Sequence, residues 1–221
     1  MDFSVLIATM HSRNNLFQKV LAEVNHQIQV LQTPILKFGF KKRVPNIEVL
    51  YEVDNGEMTL GAKRNLLVSR ASGKYCCFID DDDVISPNFL KTFIPMIGAD
   101  YDCASYVGMY YYRGTSNQYY EKLFYHSLDV KDWYETEDRY WRSVSPMNMI
   151  KTDIVRKVQY KDIRNTEDHE FSIRLMESGL LKSEFKIPYV PIYHYIDGVK
   201  DTREQWKYEW VDNFTKLHLF T

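Results

Sequence analysis

Four consecutive aspartates, Asp80, Asp81, Asp82 and Asp83, close the apolar run 75–79, so a buried strand delivers a dense negative cluster to its own tip. Carboxylates this close repel one another, and one protonates unless a cation supplies the opposite charge. A divalent ion is therefore the first expectation. Oxygen ligands suit Mg²⁺ or Mn²⁺, and a carboxylate, a water and two diphosphate oxygens would help complete an octahedral shell. In a strand-like continuation Asp80 and Asp82 point one way and Asp81 the other, with a turn over the cluster as the alternative. The plainer alternative is an acidic turn capping the next helix, a task that needs fewer than four adjacent charges.

Asp54 ends another apolar run, beside Asn55 and Gly56. Its carboxylate would accept from a uracil-like base or a ribose hydroxyl, and Asn55 offers a donor and an acceptor. Asp-Asn-Gly is equally an ordinary turn former. Lys63 and Arg64 stand between the two acidic loops, and the forked guanidinium of Arg64 suits a bridge between an aspartate and a diphosphate. Thr9 and Arg13 are placed to meet base or phosphate. For each of these, a surface or loop-solvating role is the alternative.

Such groups need a scaffold that gathers them. Residues 3–8 read as a strand entering a polar loop, and Leu16, Phe17, Val20, Leu21, Val24, Ile28 and Leu31 then recur at helical spacing until Pro34. A strand over 47–53, a helix over 61–71, a break at Gly73 and a strand over 75–79 follow. Ser86-Pro87 predicts an N-cap and a proline-led first turn for a helix carrying Phe89, Leu90, Phe93, Ile94 and Ile97. Strands joined through helices run parallel, which brings the loops after the first three strands to one sheet edge.

After residue 100 the rhythm changes. Residues 101–112 are aromatic and strand-like, and the stretch to Tyr140 has little clear periodicity. Residues 166–178 read as a helix stopped by Gly179, and 185–195 as a strand interrupted by Pro188 and Pro191. Residues 203–219, with Trp206, Trp210 and Phe214, are compatible with a last helix.

A chain of 221 residues, 45% hydrophobic, is enough for one large α/β domain over 1–221. A net charge of -2 gives no bulk field for nucleic acid or anionic membrane. No apolar stretch nears the roughly 18 residues needed to span a bilayer. Cys76, Cys77 and Cys103 form no CxxC pair and read as buried small hydrophobes of a reducing compartment, so a soluble cytoplasmic protein is expected. The closing residues 217–221 lack a polar tail, an expectation of additional domains in a longer polypeptide.

Taken in order, Val5-Leu6-Ile7-Ala8-Thr9, Asp54-Asn55-Gly56, Gly61-Ala62-Lys63-Arg64-Asn65 and Phe78-Ile79-Asp80-Asp81-Asp82-Asp83 resemble the nucleotide-sugar half of family-2-type glycosyltransferases with the GT-A fold. The likeness is good over 3–97 and thinner through 196. It implies an α/β fold, an open mixed sheet, mostly parallel and flanked by helices, with a nucleotide-binding half over 1–97 and an acceptor-binding half over 98–221. It further implies a nucleoside diphosphate sugar donor, UDP-sugar favoured, and Mn²⁺ or Mg²⁺ held by an Asp-x-Asp signature. By the same resemblance Thr9 and Asp54 approach the base, Arg64 anchors the nucleotide, and Asp80 or Asp81 approaches ribose. Asp82 is then the leading metal ligand, and Asp83 faces the transferred sugar. Two positions depart from the family pattern: Ala8 replaces a frequent proline, and Asn55 a frequent second aspartate that bears on uracil recognition.

Glu167 and Asp168, opening the predicted helix, resemble the family's Glu-Asp pair, and their charge suits the helix's positive end. An inverting transfer needs one carboxylate to take the acceptor hydroxyl proton. The resemblance assigns Asp168 as that base, with Glu167 positioning it or the acceptor; simple helix capping is the alternative. His194 is an additional metal candidate, since some GT-A enzymes draw a late histidine into the ion shell, and a structural histidine is the equal alternative.

Seventeen tyrosines and four tryptophans supply flat faces for a carbohydrate acceptor. Tyr110, Tyr111, Tyr112, Trp133, Tyr134, Tyr140 and Trp141 fall in the variable half, with core packing the alternative for any one of them. The bend Ser143-Val144-Ser145-Pro146, followed by Asn148, is a candidate wall for the donor sugar. The leading expectation is a metal-dependent, inverting glycosyltransferase acting on a hydroxyl acceptor. Its competitors are a nucleotidyltransferase and a non-catalytic nucleotide-sugar or glycan-binding module.

Overall fold

The computed structural model describes residues 1–33, 44–113 and 119–197, so the helix expected over 203–219 lies outside the described residues. In chain order the elements are β1 (Phe3–Met10), α1 (Asn14–Gln32), β2 (Ile47–Asp54), α2 (Leu60–Arg70), β3 (Tyr75–Phe78), β4 (Val84–Ile85) and α3 (Phe89–Phe93). There follow β5 (Cys103–Ala104), β6 (Tyr106–Arg113), β7 (Tyr119–His126), β8 (Tyr134–Glu135) and β9 (Arg139–Arg142). The last are β10 (Ile150–Lys151), α4 (Thr152–Val158), α5 (Glu167–Glu177), β11 (Glu184–Phe185) and β12 (Tyr193–Ile196).

The strands form two mixed sheets, ordered β11-β5-β10-β3-β1-β2 and β4-β12-β6-β7-β9-β8. The α/β class stands, while the single open sheet of the sequence reading is replaced by two. In the first sheet β1 runs parallel to both β2 and β3, with Met10 opposite Asp54 and Leu6 opposite Phe78. β1 and β2 end together, while β3 stops opposite Leu6, four residues short, and the chain after it continues toward the edge where the other two loops lie, as helical crossovers require.

Period-two alternation in β1 divides the core. Phe3, Val5 and Ile7 join Phe17, Val20 and Val24 of α1 and the α3 aromatics Phe89 and Phe93. Leu6 faces the other way, with Leu67 and Val68 of α2 and Phe171 and Leu175 of α5. Helices therefore cover both sides of the first sheet. Among the described residues no helix is long and apolar enough to cross a membrane. Cys76, Cys77 and Cys103 are free and buried, and burial pushes the Cys76 thiol up to about 12.

Two sequence expectations are corrected here. The helix led by Ser86 and Pro87 is a five-residue α3 whose N-cap is Asn88, followed by a 3₁₀ turn over Ile94–Met96. Pro95 has no N–H to carry the α pattern onward. Gln27 of α1 does the capping instead: its Nε2 donates to the Ser86 carbonyl at 2.8 Å and its Oε1 accepts from the Leu90 N–H at 3.1 Å. The stretch before Tyr140, read as aperiodic, holds β7 and β9. Gly108 makes room in that sheet, since a Cβ there would lie 2.0 Å from the Phe124 ring.

Candidate functional site

The aspartates separate by direction. Asp81 accepts from the Thr9 hydroxyl at 2.6 Å and pairs with Arg13 at 2.5 Å. Asp83 accepts from the Tyr193 hydroxyl at 2.7 Å and the Ile196 N–H at 3.2 Å, and the Asp80 N–H donates back to that tyrosine oxygen at 3.1 Å. Both side chains are buried, at 2% and 1% exposure. Asp80 and Asp82 are the more exposed pair, with side chains 30% and 26% exposed, and pair with Arg64 at 3.2 Å and Arg13 at 2.5 Å respectively. The chain turns here, with the Asp83 N–H donating to the Asp80 carbonyl at 3.2 Å, so a tight turn rather than a strand-like continuation sorts an inner pair from an outer one.

Burial pushes the Asp81 carboxyl up to about 6 against the pull of Thr9 and Arg13. Asp80 and Asp83 are also raised, by burial first, with repulsion from neighbouring carboxylates added. This excess of negative charge suits a further cation. Among the described residues no three His, Cys, Asp or Glu side chains gather at metal-holding spacing. Two carboxylates alone, such as Asp80 and Asp82, would leave any ion to fill its shell with water and ligand oxygens.

Arg64 links this loop to α5. Its Nη2 reaches Asp80 and its Nε reaches Glu167, each at 3.2 Å, while the guanidinium lies 4.6 Å from the Phe78 ring centroid. Nη1 is buried with no partner. Burial opposes the charge, but Asp80, Tyr160, Glu167 and Asp168 together hold it firmly protonated. Glu167 is raised by burial, with Arg64 pulling the other way and Asp168 and Asp80 reinforcing the rise.

Thr166, just before α5, adopts φ 62 and ψ 13. A β-branched residue in the left-handed region is strained, a feature that gathers at functional sites. The turn presents Glu167, Asp168 and Glu170 in the helix's first turn, at its positive end. Among the described residues Asp168 makes no salt bridge; its Oδ1 accepts the His169 N–H at 2.8 Å.

A cleft of about 320 Å³ opens beside Asp81, lined by Thr9, Met10, Arg13, Gly56, Met58, Leu60, Lys63, Asp81, Arg164 and Asn165, among others. Lys63 is largely committed, donating to the Thr9 carbonyl at 2.6 Å and to Asp54 at 2.5 Å. Burial raises Asp54, but Lys63 and the Met58 and Gly56 N–H groups outweigh it and leave the carboxyl below its usual range. Asn55 turns to Glu57, giving its N–H at 2.6 Å and its amide at 3.2 Å. Gly61 admits the opposite wall: the Gly61 N–H donates to the Ile163 carbonyl at 3.2 Å, and a Cβ would lie 1.8 Å from the Lys161 carbonyl.

Thr9, Arg13, Lys63, Asp80, Asp81, Asp82 and Glu167 are therefore brought together along one edge. Asp83, expected to face the transferred sugar, is buried and bonded to Tyr193. His194 is not brought to the aspartates: it alternates with Tyr193 along β12, and its Nδ1 lies 3.2 Å from the Tyr111 hydroxyl. Arg164, Asn165 and Tyr193 were missed. The first two lie in an aperiodic loop, and Tyr193 was one tyrosine among many.

The family model for glycosyl transferase family 2 matches residues 38–164. Glycosyltransferase GlyA of Streptococcus pneumoniae serotype 4 (strain ATCC BAA-334 / TIGR4) is 29% identical over 99 residues, covering 41% of this chain and 14% of that protein. The crystal structure of S. aureus TarS 1-349 aligns with a TM-score of 0.54 at 16% identity, over 89% of this chain and 60% of that one. Its complex with UDP-GlcNAc aligns with a TM-score of 0.56 at 15% identity, over 92% and 61%. The chain thus spans a small part of GlyA and about three-fifths of the TarS fragment; the structural likeness is one of fold.

Proposed function

The chain belongs to glycosyl transferase family 2, and from that premise we propose that it moves a sugar from a nucleoside diphosphate donor, UDP-linked by preference, to a hydroxyl of a glycan or other acceptor, with inversion. The observation that carries the reading is the Glu167–Arg64–Asp80 bridge, because it fixes a carboxylate-bearing helix end against the exposed aspartate pair. A UDP-GlcNAc complex of a protein with the same fold supports the donor class.

In this reading the nucleoside occupies the cleft lined by Thr9, Met10, Met58 and Arg164. Asp82 and Asp80 would hold Mn²⁺ or Mg²⁺, which supplies counter-charge to the diphosphate when bound. Asp168 takes the proton of the acceptor hydroxyl as that oxygen bonds to the anomeric carbon; the bond from carbon to diphosphate breaks, and its electron pair leaves with the nucleotide. Glu167 and Arg64 position Asp168. The free, buried thiols suit the reducing cytoplasm to which we assign the protein.

Nucleotide release from a panel of nucleotide sugars with Mn²⁺ and mixed hydroxyl acceptors tests the proposal. Release that disappears in Asp82→Ala and Asp168→Asn supports it. Pyrophosphate release from a nucleoside triphosphate, with no turnover of any nucleotide sugar, overturns it.

A further inference from the structure

The second sheet carries Tyr193, the residue that holds Asp83, and the neighbours on that face follow from register. Tyr193 pairs with Gly108, Gly108 with Phe124, and Phe124 with Tyr140; two residues on, His126 pairs with Arg142. Period-two alternation puts Arg142 on the same face as Tyr193. That face is aromatic and almost uncharged: Tyr106 stacks on His126 at 4.8 Å and lies 6.0 Å from Tyr193.

Arg142 is the exception. Its guanidinium lies 4.7 Å from the Trp133 ring centroid and 5.3 Å from that of Tyr140. Among the described residues it has no carboxylate partner, whereas Lys122 on the same face pairs with Glu135 at 2.5 Å. Its titratable neighbours give no compensation. Burial, with Arg142 adding to it, pushes His126 down to about 3, and burial raises Tyr106 well above its usual range, so both stay neutral. A half-buried cation among neutral rings recovers only part of its lost hydration from cation–π contact. The planar N–H edges not facing the rings remain available to an anion.

Trp133 connects this cation to the reacting end of α5. Its indole N–H donates to the Ser143 hydroxyl at 2.9 Å, and its ring lies 4.4 Å from that of His169, the residue after Asp168. We infer that Arg142, with Trp133 as its platform, forms an acceptor subsite that takes a phosphate or carboxylate group carried near the reacting hydroxyl. The inference rests on the glycosyl-transfer reading for the word acceptor; the anion site itself stands on the unpaired guanidinium. A phosphate or a uronate carboxylate presents the same forked oxygens to the fork of Arg142.

The test follows the indole N–H resonance of Trp133, assigned with Trp133→Phe, while glycerol 3-phosphate, glucuronate or neutral methyl glucoside is added to protein saturated with UDP and Mg²⁺. A saturable shift with either anion and none with the glucoside is expected, lost in Arg142→Met and moved to about tenfold higher concentration in Arg142→Lys. Response to the phosphate alone or the carboxylate alone assigns the acceptor class. An equal shift in Arg142→Met, an equal shift with methyl glucoside, or a shift seen only without UDP overturns the inference; the last marks a donor-phosphate site. Retained positions of the other indole signals show that the variants fold. Failure of UDP to perturb the Thr9 and Lys63 amides would instead count against the donor reading, and the anion titration without UDP would still decide the role of Arg142.

Discussion

The two sheets treat charge in opposite ways. At the shared edge of the first, each cation is engaged: Lys63 by Asp54, Arg13 by Asp81 and Asp82, and Arg64 by Asp80 and Glu167. On the second, tyrosines stack on tyrosines, as Tyr110 does on Tyr112 and Tyr195 at 5.3 and 5.1 Å, and Arg142 faces neutral rings. Internal pairing fixes the shape of the first region before a ligand arrives. The second pairs Lys122 with Glu135 and Arg139 with Asp138 but leaves Arg142 for a partner to satisfy.

The largest effect should come where the two regions meet. Asp168→Asn removes the proton acceptor and should lower kcat by about 10²–10⁴-fold, measured as nucleotide release at saturating donor. Retention of most of the rate would move the base elsewhere. Next, Arg64→Met leaves Asp80 and Glu167 facing one another without their cation and should cost about 3–5 kcal/mol in urea unfolding. A loss below about 1 kcal/mol would show that the paired region is not held by that bridge.

Gly61→Ala sets a methyl group against the Lys161 backbone, which cannot swing aside as a side chain would. A loss of about 1–3 kcal/mol and weaker UDP binding are expected, because the same loop brings Arg164 and Asn165 to the cleft. Equal UDP affinity in the variant would detach that loop from the nucleotide. Asp54→Asn should cost about 1–2 kcal/mol at pH 7. The Asp54 carboxyl is depressed below its ordinary 3.8, so its contribution is complete above that value and is lost as pH falls through the lower folded value. The deficit of the variant should therefore close on acidification; a constant deficit would assign the effect to shape rather than charge.

Legibility followed the same division. The first three strands and their crossovers were readable because apolar runs and helical spacing are local, whereas the directions of the four aspartates are set by a turn over 80–83 and not by strand alternation. The aromatic sheet was not, because β7 and β9 are defined by partners: Phe124 fits where Gly108 lacks a side chain, and neither residue alone announces a strand. The Ser86-Pro87 signal failed for a related reason, since a glutamine from α1 takes over the capping. Chemistry was placed more readily than occupancy. Lys63 lines the cleft and Asp54 lies behind it, and much of their hydrogen-bonding capacity is spent on each other.

Calorimetric titration of UDP into the protein with Mn²⁺ and then after exhaustive chelation tests the central claim most directly: the exposed pair Asp80 and Asp82 holds a diphosphate through a divalent ion. The expected result is binding with the ion, strongly weakened by chelation and to a similar degree by Asp82→Asn. Equal affinity with and without the ion, unaltered by that substitution, would contradict it.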